Sequence, residues 1–450
     1  MATPTFSGRL LLRGSADYER ARLSAVWNAR KPDRHPEAIL LAAADDDVVA
    51  GVRWAAERGW RVGIRSGGHS WIGTGVRDGS LLIDLSGLDE MTIDRAAGTA
   101  TVRPAVRGVD FNAALADAGL VFPSGHCPSV GLGGFLLGGG YGWNSRALGP
   151  ACMSVEAADV VLADGTLVHA DDETHPEIMW ALRGAGPGFF GVVTRFRLRV
   201  HPAYHAIVRS AYSFPNAMRD EVLAWTYDTV PDISPWLEMS AKVTQEVTTI
   251  TAAAFCRAPG DESMLAAVEA APFLRHAVRR VERRPSTIND LYALSDALTP
   301  HGNRYAVDGV WTSAPVGEVL AAGRGVLDAI PTPESFLLWM LWDNYPEAAT
   351  ACWSTQGRLY FSPNAVWTDP AADLRAESWA HAALDDLAGV AAGTQFADHN
   401  PADRPDHGIE PAQQQRLAAL RAKYDPSGLL CDYLRPEEST TALGRQLSQR

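Results

Sequence analysis

The feature that most constrains this chain is a glycine-rich stretch at residues 123–142, which reads P-S-G-H-C-P-S-V-G-L-G-G-F-L-L-G-G-G-Y-G. Seven of its last twelve residues are glycine. Glycine at this density costs backbone entropy, so the fold must need the missing side chains, either for positive φ or to bring main-chain N–H groups against a bulky ligand such as a phosphate. Cys127 lies at the mouth of this loop, and a second glycine turn, R-S-G-G-H-S at Arg65–Ser70, carries His69. Together they predict a cradle for a large phosphorylated cofactor, with two side chains able to bond to it.

Composition narrows the classes of function. The chain has 450 residues, too many for one hydrophobic core, so about two or three domains are expected. Its formal net charge of −13 argues against nucleic acid or an anionic membrane as a partner. The five cysteines are scattered and no C-x-x-C or H-E-x-x-H motif occurs, so neither a disulfide framework nor a metal site is predicted. Because no apolar stretch of about 20 residues occurs either, we predict a cytoplasmic protein.

The first 200 residues alternate between helix and strand patterns. A helix is predicted over residues 15–31, with Trp27 on its apolar side, followed by a buried strand at 38–43 and a helix at 46–58. Two β patterns flank the Ala-Asp-Gly sequence at 163–165, which is typical of a hairpin. This region is therefore predicted to be an α+β unit built around the two glycine turns.

A change of composition at Pro202 marks a second region. From about residue 205 to 395 glycine becomes rarer and eight tryptophans occur. The patterns predict an antiparallel sheet with helices on one face, and the uncovered face would form one wall of a ligand cleft. Strand patterns lie at 207–214, 236–243, 247–256, 305–311, 336–342 and 359–366, and helix patterns at 216–229, 262–271, 316–329 and 371–387.

Further motifs follow the two glycine turns in a fixed order. They are W-A-L-R-G-A-G at 180–186, F-G-V-V-T at 190–194 and K-Y-D-P at 423–426. In this order and spacing the motifs resemble the berberine bridge enzyme-like flavoproteins of the vanillyl-alcohol oxidase / p-cresol methylhydroxylase superfamily. The resemblance extends over nearly the whole chain.

The resemblance implies a fold of the α+β class with three parts. Residues 1–204 would form an FAD-binding region of the p-cresol methylhydroxylase type, made of two α+β subdomains. Residues 205–395 would form a substrate domain, whose large antiparallel sheet is covered by helices on one face. Residues 396–450 would form a C-terminal segment that returns to the FAD-binding region.

The resemblance also implies how the cofactor is held. The family anchors FAD twice, through a histidine to the 8α-methyl group and through a cysteine to C6, and by motif position these residues are His69 and Cys127. Both lie in the glycine turns that already suggest a cofactor cradle. The other residues predicted to bind FAD are Arg65, Ser66, Gly67, Gly68, Ser70, Gly125, Val130, Gly131, Gly133, Gly134, Gly138, Gly139, Gly140, Gly142 and Val193.

The sequence leaves open which residue accepts the proton of the substrate. A flavin that oxidises an alcohol or an amine takes a hydride, and a base or water must take the proton. The tyrosine that often serves the family as base has no clear counterpart in the C-terminal tail. The candidates are Tyr360, Glu238 and Asp343, with Lys242, Tyr345, Asp398, Glu410 and Gln413 as alternatives, and Trp339 and Trp342 are predicted to contact the substrate.

These residues predict an FAD-dependent oxidase acting on a small molecule. It would take a hydride from an alcohol- or amine-bearing carbon of a sugar or a natural-product intermediate and pass the electrons to O2. Two alternatives stay open: a dehydrogenase that uses another acceptor, and a flavin-bearing binding protein without turnover. The sequence departs from the family at 186–191, where G-P-G-F-F-G replaces G-G-G-N-F-G, and in the altered tail.

Overall fold

In the computed structural model, residues 3–342, 345, 350–395 and 408–447 are described. The first sheet has the strand order β1-β2-β4-β3, in which β2, β4 and β3 are parallel and β1 is antiparallel. Because β3 ends at Arg65, the first glycine turn begins at the carboxyl edge of a parallel sheet. The elements of this part are β1 (Arg9–Leu12), α1 (Tyr18–Ser24), β2 (Ala38–Leu41), α2 (Asp45–Arg58), β3 (Arg61–Arg65) and β4 (Ser80–Asp84).

The predicted helix at 15–31 is much shorter in the structure, where α1 ends at Ser24. Trp27 therefore lies beyond the helix. By contrast, α2 follows its predicted pattern closely. Three aspartates occupy its first turn, where their negative charges interact favourably with the helix dipole, and Gly59 ends the helix with φ of +69°.

The second sheet is antiparallel, with the order β5-β6-β10-β8-β9. Strands β8 and β9 form the predicted hairpin, and Gly165 in its turn has φ of +76°. The glycine-rich stretch lies between β7 and α5 and contains the short helix α4. The elements are β5 (Met91–Asp94), β6 (Thr99–Val102), α3 (Gly108–Asp117), β7 (Leu120–Val121), α4 (Leu132–Leu137), α5 (Ser145–Leu148), β8 (Val155–Leu162), β9 (Leu167–Asp171), α6 (Pro176–Leu182), β10 (Gly191–Arg199) and β11 (His201–Pro202).

A large antiparallel sheet follows, with nine strands among the described residues and the order β15-β12-β14-β13-β18-β19-β17-β20, with β16 also beside β19. One face packs against helices over a core that includes Phe214, Trp339 and Phe361. The elements are β12 (Ala206–Pro215), α7 (Arg219–Thr229), β13 (Leu237–Val243), β14 (Val247–Cys256), α8 (Ala266–Glu269), β15 (Arg279–Ser286), α9 (Ile288–Leu298), β16 (Arg304–Val307), β17 (Val310–Thr312), α10 (Val316–Ala322), α11 (Arg324–Asp328), β18 (Phe336–Leu341), β19 (Leu359–Trp367), α12 (Asp373–Asp386) and β20 (Gly393–Thr394).

The C-terminal segment returns to the first sheet. The buried carboxylate of Asp425 accepts hydrogen bonds from the main-chain N–H groups of Leu429 (2.7 Å) and Leu430 (3.0 Å), which fixes the turn after α13. The chain then runs beside β3, where the Cys431 N–H donates to the Val62 carbonyl at 2.8 Å. The last helices are α13 (Pro411–Tyr424) and α14 (Ala442–Leu447).

Among these described segments, none of the helices combines the length and the apolar character that crossing a membrane requires.

Candidate active site

A cavity of about 460 Å³ lies between the two glycine turns and the large sheet. Its two sides differ in construction. The glycine wall consists of Arg65–Ser70 together with the lining residues between Gly125 and Gly140. The sheet wall consists of Trp311, Leu338, Met340, Tyr360 and Gln395.

The glycine wall is formed by two turns packed against each other. A Cβ on Gly67 would lie 2.6 Å from the main-chain nitrogen of Gly131, and a Cβ on Gly131 would lie 3.0 Å from the Cα of Gly67. Only glycine allows this backbone-to-backbone contact. The Gly134 N–H donates to the Ser66 hydroxyl at 3.4 Å, which links the turns a second time.

The two turns bring His69 and Cys127 to one hydroxyl group. Nε2 of His69 lies 3.1 Å from Oγ of Ser129, and Sγ of Cys127 lies 3.6 Å from the same oxygen. The two residues that the sequence predicts to bond to the cofactor thus contact the same hydroxyl, although His69 and Cys127 lie 58 positions apart in the chain.

The environment of His69 keeps its imidazole neutral. Burial lowers the pKa of His69 to about 4, and the positive charge of Arg65 acts in the same direction. One face of the ring stacks on Trp27, with ring centroids 4.9 Å apart and planes 24° apart. A neutral imidazole has one nitrogen with a free lone pair, which is the form that can act as a nucleophile.

Most residues predicted to bind FAD line this cavity. They are Arg65, Ser66, Gly67, Gly68, His69, Ser70, Gly125, Cys127, Val130, Gly131, Gly133, Gly134, Gly138, Gly140 and Val193.

Gly139 and Gly142 do not line the cavity, and close packing explains both glycines. A Cβ on Gly139 would lie 2.7 Å from the ring of Trp353, and one on Gly142 would lie 2.2 Å from the Ser124 carbonyl oxygen. Gly142 also forms a β-bridge with Gly125, so it shapes the loop rather than the cavity surface. Arg65 at the edge of the cavity forms an ion pair with Asp84 at 2.8 Å.

Tyr360 is the candidate base that lies on the sheet wall. Its buried ring packs against Trp311 with centroids 4.8 Å apart. Gly309 leaves room for the phenol group, because a Cβ there would lie 2.6 Å from the Tyr360 oxygen. These contacts hold the side chain in one position at the cavity.

Glu238 occupies a different place, behind the glycine wall. Its Oε2 accepts a hydrogen bond from the Asn144 N–H at 2.7 Å, and its Oε1 lies 3.4 Å from Nε2 of His126. Glu238 is not among the residues that line the cavity, whereas His126 is. Both carboxylate oxygens therefore have partners in the protein, and Glu238 holds His126 and the main chain at Asn144 in place.

The other candidates lie off the cavity surface or outside the described residues. Lys242 lies over the ring of Phe336. The main-chain N–H of Tyr345 donates to the side chain of Gln356, and its carbonyl accepts from that side chain. Glu410 precedes α13, and its N–H donates to Ser354. Gln413, on α13, is not a lining residue. Asp343 and Asp398 lie outside the described residues.

Neither predicted tryptophan lines the cavity. Trp339 points to the opposite face of β18, where it is fully buried in the core with Tyr227 and Phe361. Side chains alternate along a strand, so its neighbours Leu338 and Met340 line the cavity instead. Trp342 is buried against Tyr141 and Trp311, two residues that line the cavity.

Sequence reasoning missed several residues of the site. The sequence pattern places Trp27 in a helix, whereas Trp27 follows α1 and lines the cavity, and Ser129 has no sequence signal beyond its place two residues after Cys127. Cys431 and Asp432 line the cavity because the C-terminal segment returns beside β3, a long-range pairing that no local pattern reports. The divergent G-P-G-F-F-G run also contributes, through Gly186, Pro187, Phe189 and Gly191.

Comparison with known proteins agrees with this geometry. Residues 36–171 match the family model described as an FAD binding domain. FAD-linked oxidoreductases of Penicillium janthinellum and Hypoxylon pulicicidum are 30% and 31% identical to this chain, each over 92% of it and 94% of the relative. The fold is similar to that of 6-hydroxy-D-nicotine oxidase from Arthrobacter nicotinovorans, with a TM-score of 0.82 at 22% identity over 95% of this chain and 98% of the other.

The fold and the relatives define an FAD-dependent oxidoreductase. The chain belongs to the family of FAD-linked oxidoreductases. The cavity fits the cofactor: a Cβ on Gly134 would meet no atom within 4 Å, so this glycine leaves its space to whatever fills the cavity. The backbone of both glycine turns can approach a phosphorylated cofactor in the same way.

Proposed function

We propose that this enzyme is an oxidase that carries FAD on two covalent bonds, from His69 to the 8α-methyl group and from Cys127 to C6. The observation that carries the proposal is the shared contact with Ser129, at 3.1 Å from His69 Nε2 and 3.6 Å from Cys127 Sγ. The 8α-methyl group is attached to C8, which belongs to the same six-membered ring as C6, so two residues that bond to these positions must lie close together. The neutral state of His69 supports the same assignment, since only an unprotonated ring nitrogen can form the bond.

The sheet wall would supply the groups that act on the substrate. FAD bound here would take a hydride equivalent from a carbon that bears a hydroxyl or amino group, and its electrons would pass to O2 with release of hydrogen peroxide. Tyr360 is the residue we propose as proton acceptor. Of the three candidates Tyr360, Glu238 and Asp343, it is the one known to line the cavity within the described part of the chain.

The chemistry of the sheet wall favours a bulky, ring-bearing substrate. Trp311, Leu338 and Met340 present apolar surface, and Tyr360 and Gln395 add a small number of polar groups. A xylooligosaccharide oxidase of Thermothelomyces thermophilus is 40% identical over 41% of this chain. An oligosaccharide needs many hydrogen-bonding partners, which this wall does not offer among its described residues, so we propose a natural-product intermediate with an oxidisable alcohol or amine.

Anaerobic mixing with a panel of ring-bearing alcohols, amines and sugars tests the proposal. We expect a ring-bearing compound to bleach the yellow absorbance of the flavin, and admission of air to restore the colour with formation of hydrogen peroxide. Restoration by a quinone but not by air would identify a dehydrogenase. Spectral shifts without bleaching across the panel would identify a binding protein without turnover.

A further inference from the structure

The hydroxyl of Ser129 links the two residues proposed to bond to FAD. Its Oγ lies 3.1 Å from Nε2 of His69 and 3.6 Å from Sγ of Cys127, and Ser129 is half-buried beside these two lining residues. Among the residues that the structure describes, Ser129 is the hydrogen-bond partner found for the His69 ring. A hydroxyl has one hydrogen to donate and lone pairs to accept, so it can serve both neighbours at once only in a limited number of arrangements.

Oγ can accept from both neighbours, which leaves the thiol protonated, or it can accept from one and donate to the other, for which there are two arrangements. In one, the thiol donates to Ser129 and Ser129 donates to Nε2, which leaves the hydrogen on Nδ1 and makes that nitrogen unreactive. In the other, Nε2–H donates to Oγ and the Ser129 hydroxyl donates to Sγ. The second arrangement leaves the lone pair on Nδ1 and stabilises negative charge on the sulfur, which makes both groups nucleophilic.

We propose that Ser129 is a positioning residue for covalent attachment of FAD, which selects the reactive form of His69 and Cys127 together. The proposal rests on the two-bond attachment proposed above. Trp27 contributes by stacking on the His69 ring and fixing its plane, so that a hydrogen bond at Nε2 also fixes the direction of Nδ1.

The covalent chemistry is balanced with dioxygen as the oxidant. Each attachment replaces one C–H bond of the flavin by a C–N or C–S bond. The hydrogen of that C–H bond and the hydrogen of the imidazole N–H or thiol S–H leave as two protons, and dioxygen takes up the two electrons to give hydrogen peroxide. The proton that the imidazole loses after bonding through Nδ1 is the one on Nε2, which faces Ser129.

The experiment compares wild type with Ser129→Ala and Ser129→Thr at fixed times after expression begins. Intact mass in denaturing acid gives the fraction of chains with bonded FAD, and peptide mapping assigns each bond to His69 or Cys127. Total flavin per chain is measured before denaturation. We expect the doubly bonded fraction in S129A to form about tenfold more slowly, as befits the loss of one hydrogen bond, with total flavin unchanged. S129T, which keeps the hydroxyl, should restore attachment.

Ser213→Ala is the matched control. The Ser213 hydroxyl also contacts another hydroxyl, Thr249 at 2.9 Å, but it lies on β12 and does not line the cavity. Its attachment rate should equal that of wild type.

Three results would overturn the proposal while leaving the two-bond assignment intact: equal attachment in S129A and wild type, the same loss in S129T as in S129A, or a fall in total flavin that accounts for the fall in bonded flavin. A wild-type chain without any bonded FAD would instead overturn the two-bond assignment, and this inference with it.

Discussion

The glycine wall and the sheet wall enclose one cavity but are built from different parts of the chain. The glycine wall is largely main chain, with Gly67 and Gly131 in direct contact and few side chains between them. The sheet wall is made of side chains, such as Leu338 and Met340, that project from alternate positions of β18, and Tyr360 on β19 pairs with Met340. A wall of main chain has little freedom to vary, whereas side chains on a rigid sheet can be exchanged without moving the backbone. We therefore expect changes in the glycine wall to affect cofactor content and changes in the sheet wall to affect turnover.

The largest effect is expected from Gly67→Ala. The added Cβ would lie 2.6 Å from the main-chain nitrogen of Gly131, so the two turns must separate. We expect loss of most bound FAD and a decrease of about 2 kcal/mol or more in the free energy of unfolding, measured by flavin absorbance per chain and urea denaturation. Gly317→Ala on α10 is the control, because its Cβ would meet no atom within 4 Å. Normal flavin content in G67A would contradict the packed-turn description.

The next largest effect is expected from Tyr360→Phe. This change removes the proposed proton acceptor and leaves the ring that packs on Trp311. Flavin content should stay at the wild-type level, while anaerobic flavin reduction by substrate slows by about 100-fold or more. Tyr227→Phe is the control, since that hydroxyl donates to the Ala314 carbonyl at 2.7 Å, on the helix-covered side of the sheet. An unchanged reduction rate in Y360F would remove Tyr360 from the mechanism.

A smaller effect is expected from Met340→Ala. The shorter side chain enlarges the cavity at the sheet wall and leaves the glycine wall unchanged. The ratio of kcat/KM between a bulky and a small substrate should therefore change by about tenfold. Leu341→Val, whose side chain lies on the opposite, core-facing side of β18, should leave that ratio unchanged. Steady-state assays with two substrates measure both, and an unaltered ratio in M340A would mean that the substrate does not reach this wall.

The smallest effect is expected from Tyr424→Phe, outside both walls. The Tyr424 hydroxyl donates to Glu177 at 2.5 Å, and this hydrogen bond, with Lys423, lowers the pKa of Glu177 to about 2. A carboxylate with a lowered pKa stabilises the fold above its ordinary pKa of 4.5, and that contribution is lost as the pH falls from there through about 2.

Y424F should therefore lose about 1 kcal/mol of unfolding free energy near neutral pH, and the difference from wild type should shrink as the pH falls below 4.5. Urea denaturation over a pH series measures this difference. Glu177→Gln is a second variant, whose difference from wild type should also shrink as the pH falls below 4.5. A difference that stays constant with pH would mean that the Tyr424 hydroxyl acts through Lys423, which donates to it at 3.0 Å, and not through Glu177.

The glycine wall could be predicted from sequence because close contact between two backbones requires glycine, and a cluster of glycines is visible in the sequence. A glycine that two backbones need, such as Gly67 or Gly131, cannot be replaced, so the turns stand out. Strands with one buried and one less buried face were also predicted, as at Leu237–Val243, where buried and half-buried residues alternate.

The sheet wall could not be predicted in the same way. On β18 both faces carry large apolar side chains, so the letters do not tell which of Leu338 and Trp339 faces the cavity. Strand β15 was missed because it is rich in exposed arginine and forms only through pairing with the distant β12. Trp27 was misassigned because α1 ends early, and its stacking on His69 is a tertiary contact.

The most direct test of the central claim is the mass of the polypeptide after denaturation in acid. We predict that wild type keeps its yellow colour and carries the added mass of one FAD. His69→Ala and Cys127→Ala should each keep FAD through the remaining bond, and the double variant should release it entirely. A wild-type chain that loses its flavin on denaturation, or a double variant that retains it, would contradict the assignment of His69 and Cys127.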